Sequence, residues 1–328
     1  MMRRWSRWVQ LLSRREAGTS LALLRIALGL CALGIFIDGF ALFSVLWVDI
    51  EHGGYRSLGD GPWLVQWMGG PNPDTITTLL WAGVTSATIL ITGLGSRLWA
   101  FVTLQILLAL ASTNGHAGGS YDELLSNGLW LLVLAQSDTT LSIRCYLKNR
   151  KWQDEELVRA WPRYLAIGQL VVVYTSTASL KVSAHWLPGG DASALYYILQ
   201  QPSWARWDLQ WLAWVFPLTQ VATLGVWLFE AGAPLLLIAF WYRHTRTRPG
   251  WLRQFMNRID YRRVFCWVGV SMHIGIHALM VVGPFSWISL AFYVALFHPD
   301  EWQHLIEVAK RSRPNQASPT TKTPHQMA

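Results

Sequence analysis

Hydrophobic residues in this chain fall in long blocks rather than in alternation. Apolar stretches near the ~20-residue length that crosses a bilayer as a helix recur at 20–42, 74–94, 98–113, 123–143, 163–181, 217–241 and 264–282, with a shorter one at 285–298. Polar, Gly/Pro-rich or strongly charged segments separate them. The pattern predicts an all-α, polytopic membrane helical bundle of about eight transmembrane helices. Residues 3–13 (RRWSRWVQLLS) mix basic and apolar groups at helical spacing, which predicts a short helix lying on an anionic leaflet. The chain therefore divides into a basic cytoplasmic interfacial helix (1–17), an eight-span membrane domain (18–300) and a cytoplasmic surface helix with a disordered tail (301–328).

Charge orients this bundle. All but four of the 27 Lys and Arg residues lie before the first apolar stretch, at Arg97, in 144–163, in 242–263 or in the C-terminal tail. The exceptions are Arg25, Arg56, Lys181 and Arg206. Such asymmetry is how a membrane protein sets its orientation. It predicts both termini on the cytoplasmic side of a bacterial inner membrane, with the lipid bilayer as the main partner. It also accounts for the net charge of +8 without invoking nucleic acid. Composition agrees: 14% of residues are charged, against about 25% in soluble domains. The first apolar run is long and lacks a small-residue cleavage site, which reads as a retained span rather than a signal peptide. Cys31, Cys145 and Cys266 have no spacing that suggests a metal clip or a disulfide framework.

Two polar segments are expected on the outer side. The first, 49–72, carries Glu51, His52, Arg56 and Asp60. In the second, 182–210, Asp191 is placed to cap a short helix ending before Pro202. Trp204, Trp207, Trp211 and Trp214 follow at helical steps. This predicts an interfacial helix with all four on one face, bending into the next span at Pro217.

Charged or polar groups within apolar stretches are costly and therefore candidates for function. Arg25, near the start of the first span, either snorkels or plays a structural role, or else anchors an anionic ligand. Glu230, mid-span in LGVWLFEAGAPLLL, must be protonated, paired or solvated in a cavity. His273 and His277, four apart, share one face. Without a third ligand they read as hydrogen-bonding histidines in a polar cavity rather than a metal site. Lys181 closes the fifth span and is followed by His185, Trp186 and Pro188-Gly189-Gly190. Either it snorkels to headgroups, or a dry boundary disfavours its ammonium and frees the amine as a general base.

The stretch from Tyr174 to Tyr197 (YTSTASLKVSAHWLPGGDASALYY) resembles the central motif of the horizontally transferred transmembrane (HTTM) family, which includes the membrane part of vitamin K-dependent gamma-carboxylase. Lys181 and Trp186 keep the motif's spacing. LLRIALGL, containing Arg25, is similar to the family's opening helix, and His273, Gly283 and Phe285 reproduce a His-x9-Gly-x-Phe spacing. The resemblance covers roughly residues 18–300.

The resemblance implies a membrane enzyme, a lyase, that uses a reduced menaquinone or vitamin K-like quinone with O2 and CO2. Lys181 is then the base that deprotonates the quinone. Oxygen addition generates a stronger base, which acts on the γ-carbon of a peptide glutamate, and CO2 captures the carbanion. His273 is implied to polarise or position the quinone. Tyr174, His185, Trp186, Glu230, His277 and Arg25 complete the expected quinone and substrate site. A histidine that the carboxylase uses before its fourth span has no counterpart at the matching offset, although His116 is nearby. The large luminal domain of the carboxylase also has no equivalent before the polar tail. Two other readings stand beside this one: a non-catalytic membrane partner in maturation or export of a secreted peptide or toxin, with a periplasmic or membrane partner protein, and a transporter. No repeat pointing to an inverted-repeat transporter is visible.

Overall fold

A computed structural model describes residues 2–42, 62–114 and 118–311. Glu51, His52, Arg56, Asp60, His116 and the expected disordered tail lie outside the described residues.

The chain is mostly helical. An amphipathic helix, α1 (Met2–Leu12), leads into a three-residue strand, β1 (Arg15–Ala17). The helix α2 (Thr19–Ala41) follows, then a single turn, α3 (Trp63–Trp67), and the hairpin of α4 (Pro73–Thr92) and α5 (Ser96–Thr113). Next come α6 (Ser120–Leu134), the short α7 (Ile143–Asn149), the strand β2 (Leu157–Arg159) and α8 (Trp161–Leu180). The remainder is α9 (Ala194–Leu199), a 3-10 helix at Gln210–Val215, α10 (Phe216–Ala231), α11 (Leu235–His244), α12 (Trp251–Ile259), α13 (Tyr261–Leu279), α14 (Phe285–Tyr293) with a 3-10 extension, and α15 (Pro299–Arg311). Among the described residues, four helical segments are long and apolar enough to cross a membrane: Thr19–Ala41, Pro73–Thr92, Ser96–Thr113 and Gln210–Ala231.

Local chemistry accounts for the boundaries. Helix α4 starts where Asn72 accepts the Thr75 amide at 2.8 Å and Pro73 presets the first turn. It stops at Gly93, which is left-handed at φ 74°. A Cβ at Gly93 would lie 2.5 Å from the Ser142 Cβ and 2.7 Å from Arg25 Nη1, so the turn is also a point of close approach. Gly83 lets α4 meet the ring of Phe36 on α2, where a Cβ would sit 2.7 Å from it.

The helical content fits the expected all-α fold, to which β1 and β2 add one short antiparallel pair, Glu16 opposite Val158. Several sequence expectations need correction. The fourth apolar stretch ends at Leu134, not 143. Ser137, Asp138, Thr139 and Thr140 form a buried polar turn, in which the Ser137 hydroxyl donates to Ser96, the Asp138 carboxylate accepts from the Ser96 amide and the Asp138 carbonyl accepts from Ser142. The sixth stretch is broken at Gly232–Pro234, where Tyr261 donates to the Gly232 carbonyl at 2.9 Å. The loop 242–263 is largely occupied by the end of α11 and by α12.

The four tryptophans do not share a helix either. Residues 204–206 pair instead with 279–281 by backbone hydrogen bonds, and helical structure starts only at Gln210. Trp204 ends a turn in which its amide donates to the Gln201 carbonyl, and Trp207 lies in a bend, so the three-four-three spacing no longer places the rings on one helical face. All four remain exposed. Asp191 accepts from the Ser193 amide at 3.3 Å, but the residue at the N-cap of α9 is Ser193.

The bundle is closed at one end by an arginine layer. Helices α2 and α8 begin there, and α11 and α14 end there. Arg163 donates to both oxygens of Glu16 at 2.7 and 2.8 Å and to the Ala295 carbonyl. Arg262 bonds Asp260, Glu301 and the Leu296 carbonyl. Burial raises the proton affinity of Glu301. Hydrogen bonds from Arg262 and the His298 amide override that and hold its carboxyl at about 2, below its ordinary 4.5. A carboxylate depressed by folding contributes stability that is complete above its unfolded value and lost as pH falls through its folded one. The contribution of Glu301 should therefore be whole above pH 4.5 and disappear toward pH 2. Thermal unfolding in detergent checks this: the melting temperature of the native chain should fall more between about pH 5 and pH 3 than that of Glu301→Gln.

Candidate functional site

Seven residues separate Tyr174 from Lys181 along α8, two helical turns, so the two lie on the same side of the helix. Each anchors a polar cluster inside an otherwise apolar packing of α8, α10, α13 and α14.

The first cluster sits where α8 ends. Lys181 is the C-terminal cap of that helix. Its ammonium donates to both oxygens of Glu230 on α10, at 2.6 Å each. It also lies 4.4 Å from the ring centroid of Trp186, a cation–π contact supplied by the turn that follows α8. The Glu230 side chain is 8% exposed and that of Lys181 is 21% exposed. The carboxylate is therefore inside the protein, and the lysine is its link to the surroundings. Of the three states open to a mid-span glutamate, Glu230 adopts the paired one.

The second cluster lies deeper. The Tyr174 hydroxyl is 2.7 Å from His273 Nε2 on α13 and 2.6 Å from the Tyr293 hydroxyl on α14. Tyr174, Tyr293 and His273 are all buried. The other ring nitrogen of His273, Nδ1, is buried and has no hydrogen-bond partner among the described residues. Phe229, next to Glu230 in sequence, stacks on Phe265 with centroids 4.3 Å apart and meets Tyr174 edge-on at 5.0 Å. This aromatic layer adjoins both clusters. A groove of about 320 Å³ opens on its far side between α9, α10 and α13, walled by Leu199, Val226, Phe229, Met272 and Ile276. Phe229 and Met272 are chain neighbours of Glu230 and His273, but the groove itself is lined almost only by apolar residues and by no member of either polar cluster.

Other sequence candidates lie elsewhere. Arg25 is fully buried near the start of α2, in the arginine-layer half of the bundle. It donates to the carbonyls of Ser137, Ile91 and Leu141 and so ties α2 to the α4–α5 turn and the Ser137–Ser142 turn. None of these bonds reaches the Lys181 cluster. His185 is half-exposed and turns to Asp191 and Ser193, at 2.9 and 2.8 Å. His277 does share a side of α13 with His273, since they meet Trp287 and Phe285 of the α14 segment respectively. It lines a separate cavity of about 660 Å³ between α2 and α14, together with Asp38. Among the described residues no His, Cys, Asp and Glu group is arranged to hold a metal ion.

Sequence reasoning missed Tyr293 and the Arg163–Glu16 pair. Tyr293 sits in the apolar run ISLAFYVALF, and its hydroxyl in such surroundings is the signal that could have found it. Arg163 was counted only as a loop charge.

Comparison with known proteins returns no matching family model, no matching curated protein and no matching solved structure.

Proposed function

We propose that this chain is an eight-span membrane enzyme of the HTTM type that takes a proton from an apolar, quinone-like substrate at the outer face of a bacterial inner membrane. The observation that carries this reading is the Lys181–Glu230 pair, set in apolar helices and in line on α8 with the Tyr174–His273–Tyr293 cluster. A structural ion pair needs no second polar network beside it, and His273 Nδ1, buried without a partner among the described residues, is free to meet a ligand.

The eight crossings are α2, α4, α5, α6, α8, the broken α10–α11, α13 and α14. The arginine layer marks the cytoplasmic side and Lys181 the outer side. Contacts support the alternation. Glu16, Arg163, Arg262 and Glu301 gather at one end, while residues 204–206 pair with 279–281 at the other.

The residues present fit a quinone. The groove beside Phe229 suits an apolar ring and tail, and His273 Nδ1, which lies outside the lining of that groove, is the unpartnered atom that suits a carbonyl or hydroxyl oxygen. When bound, a reduced quinone supplies a weakly acidic hydroxyl and, with O2, a route to a stronger base. Lys181 and Glu230 hold one proton between them at the mouth of the site. Passage of that proton from Nζ to Glu230 leaves a neutral amine, the form able to act as a general base. Trp186 stabilises the ammonium that re-forms. Glutamate carboxylation with CO2 is the reaction class the family resemblance favours. A peptide would reach Lys181 from the side carrying α9.

Two measurements test the reading. Protein purified in mild detergent should carry an extractable quinone, or be stabilised by added menaquinol, and Lys181→Ala should abolish the associated phenotype. Absence of quinone together with an unchanged phenotype rejects the enzyme and leaves the scaffold reading, which expects a stoichiometric partner protein. For topology, single cysteines at Gly189→Cys and His116→Cys should react with an impermeant thiol reagent from outside, and those at Glu155→Cys and Arg248→Cys only from the cytoplasm. Reaction at position 189 only from the cytoplasm would reject both the orientation and the placement of the site.

A further inference from the structure

The arginine layer contains more positive charge than it neutralises. Its buried guanidinium groups are satisfied: Arg163 by Glu16, and Arg262 by Asp260 and Glu301. Arg263 also reaches those two acids. Arg243 is left at 3.7 and 3.5 Å from Asp260 and Glu301, beyond hydrogen-bond distance. Arg14 and Arg246 have no carboxylate partner among the described residues. Arg14, Arg243 and Arg246, with His244, face one pocket of about 270 Å³ between the start of β1, the start of α8 and the end of α11. Its wall also includes the rings of Tyr164 and Phe240, the paired Arg163 and Arg262, and one carboxylate, Asp300, which bonds His298 at 3.0 Å. A cavity of this size suits a headgroup rather than a whole drug-sized ligand.

The surroundings point to what fills it. On one side, Trp8 of the amphipathic α1 stacks on Trp241 of α11, with centroids 4.8 Å apart and close in sequence to Arg243 and His244. On the other side, α12 exposes Trp251, Leu252, Phe255 and Ile259. Helices of this kind lie in the headgroup region with their apolar face toward acyl chains. The cationic pocket therefore sits at the depth of lipid phosphates if the helices lie on a membrane. Arg243 at the end of α11, Arg246 just after it and Arg14 from the segment before β1 face one pocket, and several guanidinium groups facing one space are the arrangement that recognises a phosphate through charge-assisted hydrogen bonds.

We propose that this pocket binds a phosphate-bearing anion, supplied either by a phospholipid headgroup or by a soluble phosphoryl compound, through Arg14, Arg243 and Arg246. The site is at the opposite end of α8 from Lys181 and does not depend on the reaction proposed above.

The full chain is tested in nanodiscs of phosphatidylglycerol or phosphatidylcholine, and separately in detergent with inorganic phosphate or pyrophosphate. Thermal stability and native mass spectrometry are the readouts. The variant Arg14→Gln/Arg246→Gln removes two exposed, unpaired arginines. Lys148→Gln/Arg150→Gln removes equal charge elsewhere. A preference for phosphatidylglycerol, weakened about tenfold or more in the first variant and kept in the second, supports the lipid source; one lost charge-assisted hydrogen bond is enough for that change. The same pattern with pyrophosphate and not with the lipid supports the soluble source. Equal behaviour of the native chain and the Arg14→Gln/Arg246→Gln variant overturns the proposal. So does an equal loss in both variants, because that is diffuse surface charge. An absence of any anion response overturns it too.

Discussion

Lys181→Met and Glu230→Gln should each abolish function, and the double variant Lys181→Met/Glu230→Gln should recover stability without recovering function. Removing Lys181 leaves a carboxylate that is 8% exposed and facing apolar helices. Breaking a buried pair in this way costs about 3–5 kcal/mol, because the remaining charge is uncompensated. The value should fall toward the low end here, since Lys181 keeps 21% exposure. The neutral double variant has no charge to compensate and should return to within about 1 kcal/mol of the native chain, as replaced ion pairs often do. Thermal unfolding in detergent measures the stability arm, and the quinone-dependent phenotype measures the other. Full function in the double variant would mean that the pair is only structural, and the proposed base chemistry would fall with it.

The second large effect is expected in the arginine layer. Arg163→Ala should destabilise the protein by about 3–5 kcal/mol. The arginine and Glu16 side chains are 1% and 3% exposed. The guanidinium spans both Glu16 oxygens and also serves the Ala295 carbonyl. Loss of Arg163 would therefore strand a buried carboxylate and loosen the anchoring of β1 against the end of the α14 segment. Arg163→Lys should rescue only part of this, because a single ammonium cannot reproduce the planar, forked geometry. Since Lys181 lies at the other end of α8, the site should persist in whatever fraction remains folded. A drop in detergent melting temperature no larger than that of an exposed control such as Arg150→Gln would show that the pair contributes little.

Legibility from the sequence varied with the physics of each feature. Helix positions were read well where apolar runs were long, as for α2, α4 and α5, since burial over many residues dominates local preference. Boundaries were missed where tertiary contacts overrode pattern. The polar turn after Leu134 holds because Arg25 and Ser96 meet it, and 204–206 is not helical because 279–281 offers backbone partners. Glu230 and His273 stand out as polar groups inside apolar runs and Lys181 at the end of one, while Tyr174 is reached only through the family resemblance. Their grouping was not legible, because Lys181 and Glu230 are 49 residues apart and Tyr174 and His273 are 99 apart.

What the sequence determined by itself is therefore the kind of protein: a helical chain with apolar segments fit for a bilayer, a concentrated basic charge, and a short list of residues too polar for their surroundings. Hydropathy and charge are additive along a chain, so they can be read without knowing the fold. Tertiary structure decided which of those residues are partners. It turned Glu230 toward Lys181, gave Arg25 other partners, separated His277 from His273 and brought Tyr293 in. Hydrogen bonds and ion pairs act over about 3 Å, so only the packing of helices distant in sequence could decide them.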